Sequence, residues 1–183
     1  MTQIRCSALP GYQDSPRRTA ARLFRREIEE AGYALRELPP TAGAAVGTAV
    51  HAAACHVLHQ RVDTGRYGRV EDGVELAMES FRTEVEPGAE WDETTPDRRT
   101  AETQIERLTR VYVQHVAPHV EPELVEQAFE ADLGDGFTLS GHIDVVTLEH
   151  TIRDLKTGAL PRPYEAQLGG YALLARSQRP AIR

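Results

Sequence analysis

Gly141-His142-Ile143-Asp144, followed ten positions on by Asp154-Leu155-Lys156, is the stretch of this 183-residue chain on which both its fold and its chemistry turn. Residues 137–148 read as a strand. Phe137, Leu139, Ile143 and Val145 share one side of it, and Thr138, Ser140, His142 and Asp144 share the other, as period two requires of a half-buried strand. Residues 124–133 read as the strand before it, across the turn Gly134-Asp135-Gly136, and residues 151–157 as a third strand after a tight turn. Period two in the third strand sends Asp154 and Lys156 to one face and Leu155 to the other.

The lysine stands out. Of the 21 basic residues 20 are arginine, and Lys156 is the single lysine. Arginine is a planar, permanently charged fork, whereas lysine is a compact amine able to approach a reacting atom. Two carboxylates, Asp144 and Asp154, with backbone oxygen and water, suit a hard divalent cation such as Mg²⁺ or Mn²⁺. An ammonium beside them suits a scissile phosphate on which negative charge builds up. Register sets a condition on this site. A two-residue turn at Glu149-His150 pairs residue 144 with 155 and sends Asp144 to the wrong face. An odd-numbered turn, such as residues 148–150, or a bulge brings the acids to one face.

Upstream the pattern is helical. Ser15-Pro16 offers a cap and a first-turn proline for a helix that carries Leu23, Phe24 and Ile28 and ends at Gly32. Arg17, Arg18, Arg22, Arg25 and Arg26 crowd its remaining surface. Further helices are expected over residues 46–61, 70–85 and 98–116, the last ended by Pro118. Pro161 and Pro163 open a final helix near residues 164–177, whose interior Gly169-Gly170 costs roughly 1 kcal/mol per glycine relative to alanine. Either a close approach by a substrate strand or tight packing on the sheet accounts for that pair. Helices, then a meander of three strands, then a helix make an α/β (α+β) fold with a helical N-terminal part. A single domain over residues 1–183 is expected, helical over about 15–120 and sheet-bearing over about 121–178.

Composition bounds the rest. Hydrophobic and charged fractions of 40% and 27% are those of a globular protein. The absence of a long apolar run and of an apolar signal core predicts a cytoplasmic chain with no membrane partner. Cys6 and Cys55 make no disulfide framework. The net charge of −7 is unevenly spread: +3 over residues 1–36, −14 over 37–150 and +4 over 151–183. Basic ends around an acidic middle fit a groove for a phosphate backbone with metal-holding acids at its floor, and equally a solvated surface pattern.

Gly141-x-x-Asp144, a spacer, Asp154-x-Lys156 and Gln167-Leu168-Gly169-Gly170-Tyr171 together resemble the PD-(D/E)XK nuclease superfamily, and within it the RecB-like exonuclease branch. Gly47-Thr48-Ala49-Val50-His51 resembles that branch's Gly-x-x-x-His helix, and Ser15-Pro16-Arg17-Arg18 its opening segment. The resemblance runs from about residue 15 to 175. It implies a restriction-endonuclease-like core and a metal-dependent DNA hydrolase, with room for a helicase or recombination partner. It implies that His51, Asp144, Asp154 and the backbone carbonyl of Leu155 hold Mg²⁺ or Mn²⁺. Lys156 would then position the attacking water or offset charge, and Gln167, Tyr171, Arg17 and Arg18 would contact DNA. Some relatives carry an iron–sulfur cluster on one early and three late cysteines. Ser15 takes the early position here and no late cysteine follows, so no cluster is expected. The chain stops at Arg183, soon after the Gln-x-x-x-Tyr helix, where many relatives continue, so it reads either as a minimal version or as one whose C-terminal part is absent.

Two other readings compete. One is a catalytically silent DNA-binding or assembly module on the same fold. The other is a small zinc-binding module using His51, Cys55 and His59, which fall at i, i+4 and i+8 on one helix face. Glu126 and Glu130 on the first strand read either as an extension of the acidic site or as solvated glutamates.

Overall fold

The structure is a computed structural model that describes residues 2–36, 38–158 and 164–182. Its elements in chain order are β1 (Thr2–Arg5), α1 (Leu9–Asp14), α2 (Pro16–Leu23), α3 (Arg25–Glu30), α4 (Ala42–Thr64), α5 (Val70–Val85), α6 (Arg98–Val111), β2 (Pro122–Gly134), β3 (Phe137–Thr147), β4 (Ile152–Arg153) and α7 (Glu165–Gln178). They form two compact units. A sheet unit holds the described residues up to 36, 126–153 and 164–182, and a helical unit holds 38–125 and 154–158. The division differs from the expected one at two places: the N-terminal helices go with the sheet, and the segment carrying Asp154 and Lys156 goes with α4–α6. No helix among the described residues is long and apolar enough to cross a membrane.

In the sheet unit β3 is the partner of every other strand. β1 runs parallel to it, Thr2 opposite Phe137 through Arg5 opposite Ser140. β4 runs antiparallel, Val145 opposite Arg153 and Val146 opposite Ile152. Between these two sets of pairs lie Gly141, His142, Ile143 and Asp144, opposite neither β1 nor β4. β2 adjoins β3 through Asp135-Gly136, whose φ values of 50° and 80° fit the tight two-residue hairpin turn. The sheet is therefore mixed, and the fold is α/β as expected. β1 is an addition: four residues with Gln3 and Arg5 exposed carry too little pattern to announce a strand.

The second turn spans residues 148–150. The Thr147 amide donates to the Thr151 carbonyl at 3.0 Å, the His150 amide donates to the Thr147 carbonyl at 2.8 Å, and His150 has φ 60°. A three-residue turn closed by a left-handed residue has the odd count that one-face placement of residues 144 and 154 demands. β4 itself is shorter than the strand expected over 151–157, ending at Arg153. The single N-terminal helix expected to end at Gly32 is broken at Phe24 (φ −106°, ψ 32°) into α2 and α3, and Ser15 makes no side-chain cap bond. Gly32, at φ 88°, ends α3, with Tyr33 donating its amide to Ile28 at 3.2 Å. Pro161 and Pro163 lie outside the described residues, and the helix they were expected to open runs from Glu165 to Gln178.

In the helical unit α4 starts earlier than residue 46, because Thr41 caps it by accepting from the Ala44 amide at 3.2 Å. Gly65, at φ 75°, ends it. Its small residues Ala45, Val46, Ala49, Val50 and Ala53 pack with Ala77, Phe81 and Val85 of α5 and with Ala101 and Ile105 of α6. Alanines at these positions let three helices approach closely, and Leu155 adds its side chain to this core. Asp97 caps α6 by accepting from the Thr100 amide at 2.7 Å. The continuous helix expected to residue 116 is α-helical only to Val111, then widens to a π turn over Tyr112–Val116 and tightens over Ala117–His119. Pro118 supplies no amide and crowds the preceding turn, which accounts for the loosened end.

Candidate active site

The segment after β4 is held by a side chain instead of a ladder. Leu155 packs against the core of α4, α5 and α6, which draws the chain out of the sheet after Arg153. Asp154 and Lys156, on either side of it, turn the other way and meet. Lys156 Nζ lies 2.6 Å from Asp154 Oδ2, with the aspartate side chain 6% exposed and the lysine 36%. A charge-assisted bond this short between a buried carboxylate and a half-open amine gives both groups a defined position. The sequence reading expected Asp154 and Lys156 to share a face as neighbours-but-one on a strand. They do so because Leu155 is anchored opposite.

Gly47 explains how this segment passes over α4. A Cβ there would lie 2.9 Å from Thr157 Oγ1, so the glycine is what permits the approach. His51 follows one turn later on the same helix, half-buried, with Nδ1 3.6 Å from Cys55 Sγ. Thr157 is a residue the sequence reading did not single out, and only its place beside Lys156 marks it.

A second glycine does the same work in the sheet unit. A Cβ on Gly141 would meet the Tyr171 ring at 2.7 and 2.9 Å, so the ring of α7 lies directly on β3 three residues before Asp144. Gln167 Nε2 donates to the Tyr171 hydroxyl at 2.8 Å, one helical turn away. Both residues are 4% exposed, so the pair expected to contact DNA is turned inward, behind β3. Gly170 faces Cys6 Sγ, which a Cβ would meet at 2.8 Å, whereas Gly169 has open space around it. Of the two explanations for the glycine pair, packing therefore accounts for Gly170. Burial pushes the Cys6 thiol up to about 11, which leaves it an uncharged packing atom between Gly141 and Gly170.

The expected metal ligands are divided between the units: Asp144, half-buried on β3, belongs to the sheet unit, and His51, Asp154 and Leu155 to the helical unit with Lys156. Arg17 and Arg18 are exposed on the first turn of α2. The zinc trio does not form. His59 is exposed and joins His51 and Cys55 in no group of converging ligands among the described residues. Eight residues of helix separate His51 from His59 by about 12 Å along the axis, too far for one ion. On β2, Glu126 has φ 51°, and this left-handed residue interrupts the alternation that placed Glu126 and Glu130 on one face.

The sequence pattern of the PD-(D/E)XK nuclease superfamily matches residues 6–182. The chain belongs to the PD-(D/E)XK nuclease superfamily. No curated protein and no solved structure matches it. The match runs through both units, and the mixed four-stranded sheet with its helices is consistent with the restriction-endonuclease-like fold of this superfamily. PD-(D/E)XK nucleases generally use Mg²⁺ or Mn²⁺, and the donors here fit such an ion. Asp154 presents a carboxylate that is almost wholly withdrawn from water yet ionically partnered, and carboxylate and carbonyl oxygens are the ligands that hard divalent metals prefer, imidazole being the softer member of the expected set. Of the two Asp154 oxygens, Oδ2 is the one in contact with Lys156.

Proposed function

We propose that this chain is a metal-dependent DNA phosphodiester hydrolase that acts from strand ends, as a RecB-like exonuclease in DNA processing, repair or recombination. The observation that carries the reading is the 2.6 Å contact between Lys156, the chain's single lysine, and the buried Asp154 carboxylate. A structural ion pair would serve as well with arginine, which this chain uses at every other basic position.

Asp144, Asp154, His51 and the Leu155 carbonyl are the groups that would hold Mg²⁺ or Mn²⁺. When bound, such an ion polarises a phosphate oxygen and lowers the pKa of a coordinated water. Lys156, held beside the Asp154 carboxylate, would orient the attacking water or offset the charge that develops on the phosphate oxygens. Arg17 and Arg18, exposed on α2, hold the DNA backbone. Gln167 and Tyr171 act as positioning residues: their hydrogen bond fixes the ring that lies against Gly141, and so steadies the part of β3 that leads to Asp144.

A matched pair of linear end-labelled and circular DNA substrates tests the reading. Linear DNA should be degraded from its ends with Mg²⁺ or Mn²⁺ while the circle stays intact. Cleavage of the circle would make the enzyme an endonuclease. Retained DNA binding without cleavage of either substrate would favour the silent module.

A further inference from the structure

α7 packs with one face and leaves the other bare. Gln167, Gly170, Tyr171, Leu174 and Ala175 are buried, Gly170 against Cys6 and Tyr171 against Gly141 of β3. The opposite face carries Glu165, Leu168, Gly169, Ala172, Leu173 and Arg176, spaced as one helical stripe requires. Leu168 and Leu173 are 41% and 56% exposed. A Cβ on Gly169 would meet nothing within 4 Å among the described residues. Packing within the chain therefore explains Gly170 and gives no reason for Gly169, although glycine weakens a helix interior relative to alanine.

This face is its own complement. A second α7, turned antiparallel about a two-fold axis, comes level with the first in matched pairs: Glu165 with Arg176, Leu168 with Leu173, and Gly169 with Ala172. Glu165 stands in the first turn and Arg176 in the last, where each suits its own helix end. Antiparallel packing uses both charges again, bringing opposite signs from two copies together twice. Arg176 Nε donates to the Ile182 carbonyl at 3.1 Å, which holds the guanidinium at the helix end. Gly169 and Ala172 let the two backbones approach closely, and the leucines flank them as the apolar contact. Fourteen residues of helix span about 21 Å. A helix pair of that length covers on the order of a few hundred Å² on each copy, below the roughly 1,200 Å² at which stable complexes begin. We infer that two copies of this chain pair antiparallel through this face of α7, as a weak and reversible dimer. The inference does not depend on the nuclease reading, because none of the six residues belongs to the proposed site.

Sedimentation velocity of the full chain from about 1 to 500 µM tests it. The mass should rise from monomer toward dimer with a Kd on the order of 10–100 µM. Leu173→Glu should weaken association about 100-fold or abolish it. Gly169→Gln places its side chain in open space in the lone chain, so it should fold normally and weaken the dimer about 10-fold or more. Glu165→Arg alone should weaken it about 10-fold, and Glu165→Arg combined with Arg176→Glu should restore it. Circular dichroism checks that each variant is folded. Wild type that stays monomeric at about 500 µM would overturn the inference. So would a dimer that ignores Leu173→Glu and Gly169→Gln, or a folded double charge swap that fails to recover association.

Discussion

Asp144 and the Asp154–Lys156 pair sit on backbones held in opposite ways. Asp144 is on β3, a strand flanked by β1 pairs up to Ser140 and by β4 pairs from Val145. Asp154 and Lys156 are on a segment outside any ladder, positioned by one leucine side chain in a helical core. Ladder hydrogen bonds on either side of it spread the work of positioning Asp144 over many residues, with the Tyr171 ring on Gly141 adding one side-chain contact. On the Leu155 side one side chain carries it, and the geometry of two functional groups depends on a packing contact.

The strongest break is to the groups themselves. Asp144→Asn and Asp154→Asn should each lower DNA hydrolysis by roughly 1,000-fold or more with the fold intact, measured as initial rates on linear DNA. Activity in either variant within about tenfold of wild type would remove that acid from the site. Lys156→Ala should cost on the order of 100-fold or more, and Lys156→Arg most of that, because a fork cannot take the place of a compact amine. Full activity in Lys156→Arg would reduce the lysine to a plain positive charge.

Leu155→Ala is the sharpest probe of the difference between the two backbones. Removing a partly buried anchor should destabilise the chain by about 2 kcal/mol in denaturant unfolding. It should also slow hydrolysis about tenfold under conditions where the protein stays folded. A stability loss without any loss of rate would show that Asp154 and Lys156 hold their places without the leucine. The two glycines extend the contrast with smaller effects. Gly141→Ala forces a methyl into an aromatic ring at 2.7 Å and should cost about 1–3 kcal/mol of stability. Gly47→Ala meets only a threonine hydroxyl and gains helix propensity of about 1 kcal/mol, so its melting temperature should move little. Equal losses at both sites would contradict the assignment of a rigid neighbour to one and a yielding neighbour to the other.

Much of this arrangement is legible in the sequence because its signals are local. Val70–Val85 is a helix over the residues its apolar pattern marks, and β3 runs to Thr147, burying Leu139, Ile143 and Val145 as its alternation marks but Thr138, Val146 and Thr147 as well. Asp135-Gly136 is a turn for reasons of backbone chemistry alone. The parts that were not legible depend on contacts far along the chain. β1 exists through pairing with residues more than 130 positions away. The strand expected over 151–157 ends at Arg153 because Leu155 finds a better-packed environment in the helices than in the sheet. Period two correctly put Asp154 and Lys156 together, while the structure supplies a different cause. The motif glycines were visible as glycines, but what each one admits, Thr157 at Gly47 and the Tyr171 ring at Gly141, follows only from three-dimensional packing. The inward turn of Gln167 and Tyr171 is likewise a packing result, since one-turn spacing is common to buried and exposed helix faces.

The most direct test of the central claim is the metal dependence of hydrolysis on end-labelled linear DNA, comparing wild type with Asp154→Asn in EDTA and after addition of Mg²⁺ or Mn²⁺. Wild type should be inactive in EDTA and regain cleavage with either ion, while Asp154→Asn stays inactive throughout. Cleavage by wild type in EDTA, or cleavage by Asp154→Asn at the wild-type rate, would contradict it.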